Sequence, residues 1–502
     1  MVKKMLFLTI FGLVFILTGC QDSVKELIPE KENQKGKTSI TELADHVNKE
    51  NAKEFTITAQ EEEWHLDQNT TINAWTYNGT VPGEEIRVQQ GDSVRVTLNN
   101  ELDEPVTIHW HGVMLSNPMD GVPGVTQNAV QPGKSFTYEF VAQEAGTYWY
   151  HSHQQSSKQV DKGLYGPFIV EEKQKSYDAD KVLIFDEWAL NDSEGGGMMG
   201  GKMKGMMDGG MGGRGNGDMD THMMYNTLSV NGKTGNSITP IQVKENETVR
   251  LRMINAGYAK RTLSFDGQEY RVVGNDGKAV NNGDKTSKLL EIAPGERIDV
   301  EFSATSSSWT IEEANDDGSD LSIPIQTKGS AGGENRSGSD SSVLEYTEYG
   351  SMTPLFDDNV SPDVEYNMNL GVSMGMMQGG MAFTINDETF PDTENINVEK
   401  GDIVRVNMTN DSMLDHPMHL HGHHFQIVSK NGKKLDKPLV KDLINVKPGE
   451  SYEIIFKANN PGHWLFHCHD LVHANNGMVT IVKYNGVYSP FALEGRFNNQ
   501  PE

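Results

Sequence analysis

The strongest constraint on this chain is a pattern that returns three times at one spacing. A Val-Arg pair occurs at Val94-Arg95, Val249-Arg250 and Val404-Arg405, each step 155 residues long. Similar neighbours precede each pair: Asn78-Gly79 with Ile86-Arg87-Val88, Asn231-Gly232 with Ile241-Gln242-Val243, and Ile385-Asn386 with Ile396-Asn397-Val398. An echo follows each pair, in Gln131-Pro132-Gly133-Lys134, Ala293-Pro294-Gly295-Glu296 and Lys447-Pro448-Gly449-Glu450. Runs such as Phe136-Thr137-Tyr138-Glu139-Phe140 and Ile298-Asp299-Val300-Glu301-Phe302 alternate apolar and polar residues between these turn signals, which is the pattern of short half-buried strands. Sustained helical periodicity is almost wholly lacking. A repeat of this length built from many short strands predicts an all-β chain of three tandem β-sandwich domains. We place them at residues 51–172, 173–348 and 349–502. A repetitive adhesin would show the same strand pattern, so the fold by itself does not fix a function.

The two ends of the compositional range add a location. Asp and Glu total 71 against 43 Lys and Arg, a formal charge of −28 that argues against nucleic-acid binding and suits cationic partners. There are only two cysteines, Cys20 and Cys468, too few and too far apart for a disulfide framework. The first is explained by its surroundings. Two lysines within Met1–Lys4 precede an apolar run from Met5 to Leu17, too short to span a bilayer comfortably but suited to a secretory leader. The run ends in Leu17-Thr18-Gly19-Cys20, which resembles a bacterial lipobox. That resemblance implies a leader over residues 1–19, cleavage before Cys20, a lipid on its sulfur and a polar tether over residues 20–50. The expected location is therefore the cell envelope, outside the cytoplasm and anchored to a membrane; an ordinary leader that happens to end in cysteine is the alternative.

The histidines separate this chain from an adhesin. Ten of the 16 fall in four clusters: His109-Trp110-His111, His151-Ser152-His153, His416-Pro417-Met418-His419-Leu420-His421, and His467-Cys468-His469 with His473. On a strand, residues i and i+2 share a face, so each His-x-His aims two imidazoles at one place. Imidazole suits copper, zinc, iron or nickel and disfavours the oxygen-loving cations. Only the first and third copies carry these clusters. In the middle copy Ser307-Ser308-Trp309-Thr310-Ile311-Glu312 stands roughly where Gly146 to His151 does. A shared metal cluster must then lie between the first and third domains, with the middle domain expected to serve as a spacer.

The same alternation explains the second cysteine. Cys468 points away from His467 and His469, so its thiolate can ligate one metal while its neighbours ligate others. His416, Cys468, His473 and Met478 form a His₂Cys set with a thioether available as a weak axial ligand, the pattern of a blue-copper electron-transfer site. A structural zinc site would want more thiolates or a Cys₂His₂ set.

Taken together, these four clusters resemble those of the three-domain multicopper oxidases over about residues 51–490. The resemblance implies cupredoxin-like (plastocyanin-like) domains and four copper ions. It implies type 1 copper on His416, Cys468, His473 and Met478, and type 2 copper on His109 and His419. The type 3 pair would take His111, His151, His153, His421, His467 and His469. It further implies one-electron oxidation of a reductant coupled to four-electron reduction of O₂ to water. Asp120 matches the family's acidic residue beside the trinuclear cluster, where oxygen reduction needs protons; a turn residue before Gly121 is the other reading. Many bacterial relatives carry a glutamate just after the second type 1 histidine, and here that position is Ala474, with Asp470 the nearest acid.

Methionine points to the reductant. Nine methionines lie in the glycine-rich insertion 195–224, with His222 among them, and Met374, Met376, Met377 and Met381 form a second group. Thioether sulfur favours Cu(I), and such segments resemble those of the copper-tolerance and cuprous oxidase branch. Asp411, Met413 and Asp415 precede His416 and are candidate contacts for a Cu(I) substrate. The expected activity is oxidation of Cu(I) to Cu(II) in copper detoxification. The alternatives are a laccase acting on phenols and a copper-sequestering lipoprotein without turnover. His46, His65, His423, His424 and His463 are expected to be surface or supporting residues.

Overall fold

The structure, a computed structural model, describes residues 34, 36–190, 225–314, 321–328, 340–357, 360–374 and 381–502. Cys20, His222, Met376, Met377 and the whole insertion 195–224 lie outside the described residues. The described chain is almost entirely strand, arranged as three sandwiches of two sheets each. Among the described residues the α-helices are two short ones, Ser156–Gln159 and Leu471–Asn475, and no helix is long and apolar enough to cross a membrane.

The repeat in the sequence is a repeat in register. In the first sandwich Ser93–Asn100 lies between Lys53–His65, parallel to it, and Ser135–Val141, antiparallel. The middle sandwich repeats this with Thr248–Asn255 between Ala179–Trp188 and Arg297–Ser303, and the third with Ile403–Asn410 between Val364–Met374 and Ser451–Lys457. Val94, Val249 and Val404 stand opposite Phe140, Phe302 and Phe456, and all six are buried. The next side chain along a strand takes the other face. Accordingly Arg95, Arg250 and Arg405 each pair with a carboxylate on the neighbouring strand, Glu139, Glu301 and Glu453.

Two further repeated residues fix the turns. Asn78, Asn231 and Asn386 adopt positive φ of 58°, 50° and 53°, which asparagine tolerates better than most residues. Each amide bridges back to the first strand of its sandwich, as in Asn231 Nδ2 to the Val182 carbonyl at 3.0 Å and Ile184 N–H to Asn231 Oδ1 at 2.8 Å. Asn100, Asn255 and Asn410, again 155 apart, end the central strands. Asn255 Nδ2 donates to the carbonyls of Ala259 and Ile292 at 2.8 and 3.0 Å, and Asn410 Nδ2 to those of Leu414 and Val446 at 2.7 and 2.8 Å.

The second sheets carry the differences. In the third sandwich His463–Cys468 pairs with His416–Leu420; in the first, Gly146–His151 pairs with His109–His111. The corresponding middle strand, Trp309–Glu313, pairs with Arg261–Ser264, which has no histidine. The first and third sandwiches meet directly: Asn117 Nδ2 donates to the His463 carbonyl at 2.7 Å, and the segment 497–502 runs along the first sandwich.

The repeated asparagine gives a stability test away from the metal residues. Asn255→Ala leaves two buried carbonyls without their donor, a loss of about 1–3 kcal/mol. The expected result is a lower unfolding midpoint for the middle sandwich by calorimetry.

Candidate metal centre

Antiparallel pairing places the clusters before any metal is considered. His109 lies opposite His151 and His111 opposite Trp149, while His419 lies opposite His467 and Met418 opposite Cys468. The histidine faces of the first and third sandwiches then close on each other. Rings from the two sides stack in pairs, His109 on His421 at 3.9 Å and His111 on His419 at 3.8 Å between centroids. Within this interface, donor atoms lie within 4.8 Å of one another in the sets His111–His151–His469, His153–His421–His467 and His109–His111–His419. A fourth set, His416–Cys468–His473, lies in the third sandwich alone. There Cys468 Sγ is 3.8 Å from His416 Nδ1 and 3.6 Å from His473 Nδ1, and Met478 is buried in the chain segment hydrogen-bonded to Cys468.

The donor chemistry fits bound metal. The Nε2 atoms of His109, His151, His153 and His419, and both ring nitrogens of His111 and His469, are buried with no hydrogen-bond partner. Each such group is destabilising by about 1–3 kcal/mol unless something takes its lone pair. The opposite ring nitrogens are held. His109 Nδ1 donates to the Asp120 carbonyl at 2.8 Å, His419 Nδ1 to the Asp442 carbonyl at 2.9 Å, and His467 Nδ1 to the Cys468 carbonyl at 3.0 Å. His153 Nδ1 faces the Pro501 carbonyl. Fixing one nitrogen as donor leaves the other as a ligand in a set direction.

Electrostatics act the same way. Burial, with neighbouring histidines adding to it, holds His111, His151, His421, His467 and His469 well below the ordinary imidazole value and brings His153 down to about 3. Burial also brings His416 to about 3. The rings are thus neutral and free to ligate. Burial pushes the Cys468 thiol up, so a cation in its set is what makes a thiolate favourable there.

The remaining expected residues distribute as follows. Asp120 is buried, with Oδ2 3.0 Å from His421 Nδ1 and Oδ1 3.3 Å from His109 Nδ1, so one carboxylate touches histidines of both sandwiches. Asp470 caps the helix Leu471–Asn475, accepting from the N–H groups of Val472 and His473, and its Oδ2 lies 3.4 Å from His473 Nε2. Asp415 contacts Asn445 at 2.9 Å and Lys260 at 3.5 Å, and Asp411 is exposed. Met413 is 85% exposed. Met374 and Met381 are cross-strand partners, and Phe383, two residues past Met381, stacks on His473 at 3.9 Å. His46 and His65 are exposed, whereas His423, His424 and His463 are buried. His423 props the site, donating from Nδ1 to the His421 carbonyl at 3.0 Å.

Three charged residues of this neighbourhood escaped sequence reasoning. Glu502 Oε1 lies 3.1 Å from His467 Nδ1 and 3.6 Å from His153 Nε2, and burial pushes its carboxyl well above the ordinary range. Asp442 carries the carbonyl that orients His419, and its carboxylate is gripped by Arg297 of the middle sandwich at 2.8 and 2.6 Å. The middle sandwich is therefore more than a spacer, because it reaches the histidine interface with a buried side chain.

Removing metal tests this balance. In the unfolded chain imidazoles take up a proton near pH 6.5, whereas in the folded apoprotein His153 and His416 do so at about 3. Between those values the unfolded chain binds more protons, so this stability is fully present above about pH 6.5 and lost as pH falls toward 3. Calorimetry is expected to show the copper-loaded protein unfolding above the apoprotein at neutral pH, and the apoprotein midpoint dropping on acidification.

Family models described as multicopper oxidase match residues 58–175, 202–327 and 360–486, together about three quarters of the chain. Multicopper oxidase MmcO of Mycobacterium tuberculosis is 27% identical over 488 residues, covering 94% of each chain. Multicopper oxidase mco of Staphylococcus haemolyticus is 28% identical over 448 residues, covering 86% of this chain and 88% of its own. Among solved structures, a multi-copper oxidase from Pseudomonas thermotolerans superposes with a TM-score of 0.66 at 25% identity, covering 86% of this chain and 99% of its own. Three matched segments, the three-sandwich architecture and the converging histidine sets agree: the chain belongs to the multicopper oxidase family, whose members bind type 1, type 2 and type 3 copper.

Proposed function

We propose that this multicopper oxidase is a lipid-anchored, extracytoplasmic enzyme that detoxifies copper by oxidising Cu(I) to Cu(II). In this reading His416, Cys468, His473 and Met478 hold the type 1 ion, and His109 and His419 the type 2 ion. The sets His111–His151–His469 and His153–His421–His467 hold the type 3 pair. Bound copper supplies the one-electron redox chemistry by which four substrate electrons and four protons turn O₂ into two waters.

The chain's own residues make that coupling short and dry. Cys468 is flanked by one histidine of each type 3 set, so two backbone steps join the type 1 thiolate to both. Asp470 holds His473 by its Nε2, and Ser412 Oγ contacts His416 Nε2 at 2.8 Å, which leaves both Nδ1 atoms facing the sulfur. Asp120 Oδ2, on His421 Nδ1, is a buried acid at the place where protons are consumed.

The observation that carries the choice of Cu(I) is Met413. It is a thioether 85% exposed three residues before His416, where an apolar side chain gains nothing from folding. Asp411 beside it is also exposed, and soft sulfur next to carboxylate suits a soft cation approaching type 1. Met381 lies two residues before Phe383, the residue stacked on His473, on the same strand. The methionine-rich insertion 195–224 and the Cys20 anchor complete the proposal from the sequence.

Kinetics separate the alternatives. Met413→Ala, and deletion of residues 195–224, are each expected to raise KM for Cu(I) while phenol oxidation is retained; unchanged Cu(I) turnover in both rejects the cuprous reading in favour of a laccase. A flat oxygen trace on adding reductant to the copper-loaded protein would instead indicate sequestration without turnover. The ligand assignment has its own check, since Cys468→Ser should abolish the blue absorption while copper remains at the histidine sets.

A further inference from the structure

The three Pro-Gly turns that mark the repeat are alike in sequence and backbone but not in surroundings. Gly133, Gly295 and Gly449 have φ of 69°, 80° and 73°. A Cβ added to Gly133 or Gly449 would meet nothing within 4 Å, whereas one on Gly295 would lie 2.6 Å from the ring of His469. The middle sandwich, which has no histidine cluster, thus presses its turn onto a histidine of the third. The residue two past each glycine differs in the same sense: Ser135, Arg297 and Ser451.

Arg297 is fully buried. Its two terminal nitrogens donate to the two carboxylate oxygens of Asp442 at 2.8 and 2.6 Å, the fork-to-fork geometry that only arginine provides. Its backbone N–H is held by Asp276 Oδ1 at 3.1 Å. Asp442 in turn faces the histidines. Its carbonyl accepts from His419 Nδ1 at 2.9 Å, and its Oδ1 lies 3.5 Å from that nitrogen and 3.8 Å from His111 Nε2. The preceding residue, Lys441, is also gripped by the middle sandwich, through Asn275 at 2.6 Å, Glu296 at 2.7 Å and Asp276 at 2.8 Å. Two successive residues are pinned just before Leu443, the strand partner of His419. Gly112, next to His111, completes the fit, since a Cβ there would collide with the Arg297 guanidinium.

We infer that Arg297 of the middle sandwich is a positioning residue for the type 2 copper site, holding His419 in its ligating orientation through Asp442. This rests on the ligand assignment proposed above. Groups that orient a metal-bound histidine affect metal affinity by about 10–100-fold when altered.

The test uses copper-loaded full-length protein and two variants. Arg297→Lys keeps the charge and loses the fork. Arg297→Met combined with Asp442→Asn removes both charges, so no buried anion is left unpaired. Copper per chain and the type 2 paramagnetic resonance signal are followed during dialysis against a chelator, with the blue absorption as internal reference. The expected result is type 2 copper released at about 10–100-fold lower chelator concentration in both variants, with blue absorption unchanged. Should Arg297→Lys fail to fold, the double variant decides. Wild-type retention of type 2 copper in either folded variant overturns the inference. A type 2 signal missing from the wild-type protein would instead count against the ligand assignment beneath it.

Discussion

The rest of the structure depends on imidazole nitrogens that face one another in a buried interface, most of the rings keeping a nitrogen without a hydrogen-bond partner. Eight histidines from the first and third sandwiches are buried there, and burial lowers the proton affinity of His111, His151, His153, His419, His421, His467 and His469. Neutral imidazoles do not repel as cations would, but His109, His111, His151, His153, His419 and His469 each keep a ring nitrogen with no hydrogen-bond partner. Such a cluster is tolerable when metal takes those lone pairs and when the surrounding carbonyls fix each ring by its other nitrogen. The His-x-His spacing and the position at a domain boundary are consequences of that one requirement.

A repeated fold meets the requirement economically because one register serves three purposes. Copies of the same central strand, with Val94, Val249 and Val404 inward and an Arg-Glu pair outward, supply three equivalent cores. The second sheet is free to diverge: histidines in two copies and a plain strand in the middle one. Divergence in the middle copy is not loss. Its Pro-Gly turn and Arg297 are directed at the shared interface, so the copy without a histidine cluster shapes the one surface that the other two must form together.

Much of this was legible in the sequence because period-2 alternation carries side-chain direction. Cys468 falls into a different donor set from His467 and His469, as alternate faces of one strand require. The 155-residue repeat identified the strands, and the restriction of histidine to two copies located the shared cluster between them. The illegible part consists of contacts between residues far apart in the chain and lacking a periodic signature. Arg297 with Asp442 is such a pair, and Glu502 beside His467 is another. Asp470 is a local case: in the sequence it is only the nearest acid to Ala474, whereas in the fold the chain turns into a helix there and the carboxylate is used on the helix N–H groups and on His473.

Placement of sulfur connects site and substrate. Cys468 is buried between two imidazoles in the third sandwich, and Met478 is buried in the segment bonded to it. Met413, in the segment just before His416, is the reverse case, almost fully exposed. On the proposed reading the interior thioether tunes a resident ion, whereas the one at the surface meets an ion in transit. His416 follows Met413 by three residues, and its Nε2 contacts Ser412 Oγ at 2.8 Å, so on the proposed reading a soft cation caught at Met413 meets the chain segment that leads into a type 1 ligand. An acidic chain with a formal charge of −28 draws cations toward that surface and releases an oxidised product of higher charge less readily. On the proposed cuprous reading, discrimination between Cu(I) and Cu(II) comes from ligand softness rather than from field strength, which is the property that exposed methionine contributes and carboxylates alone do not.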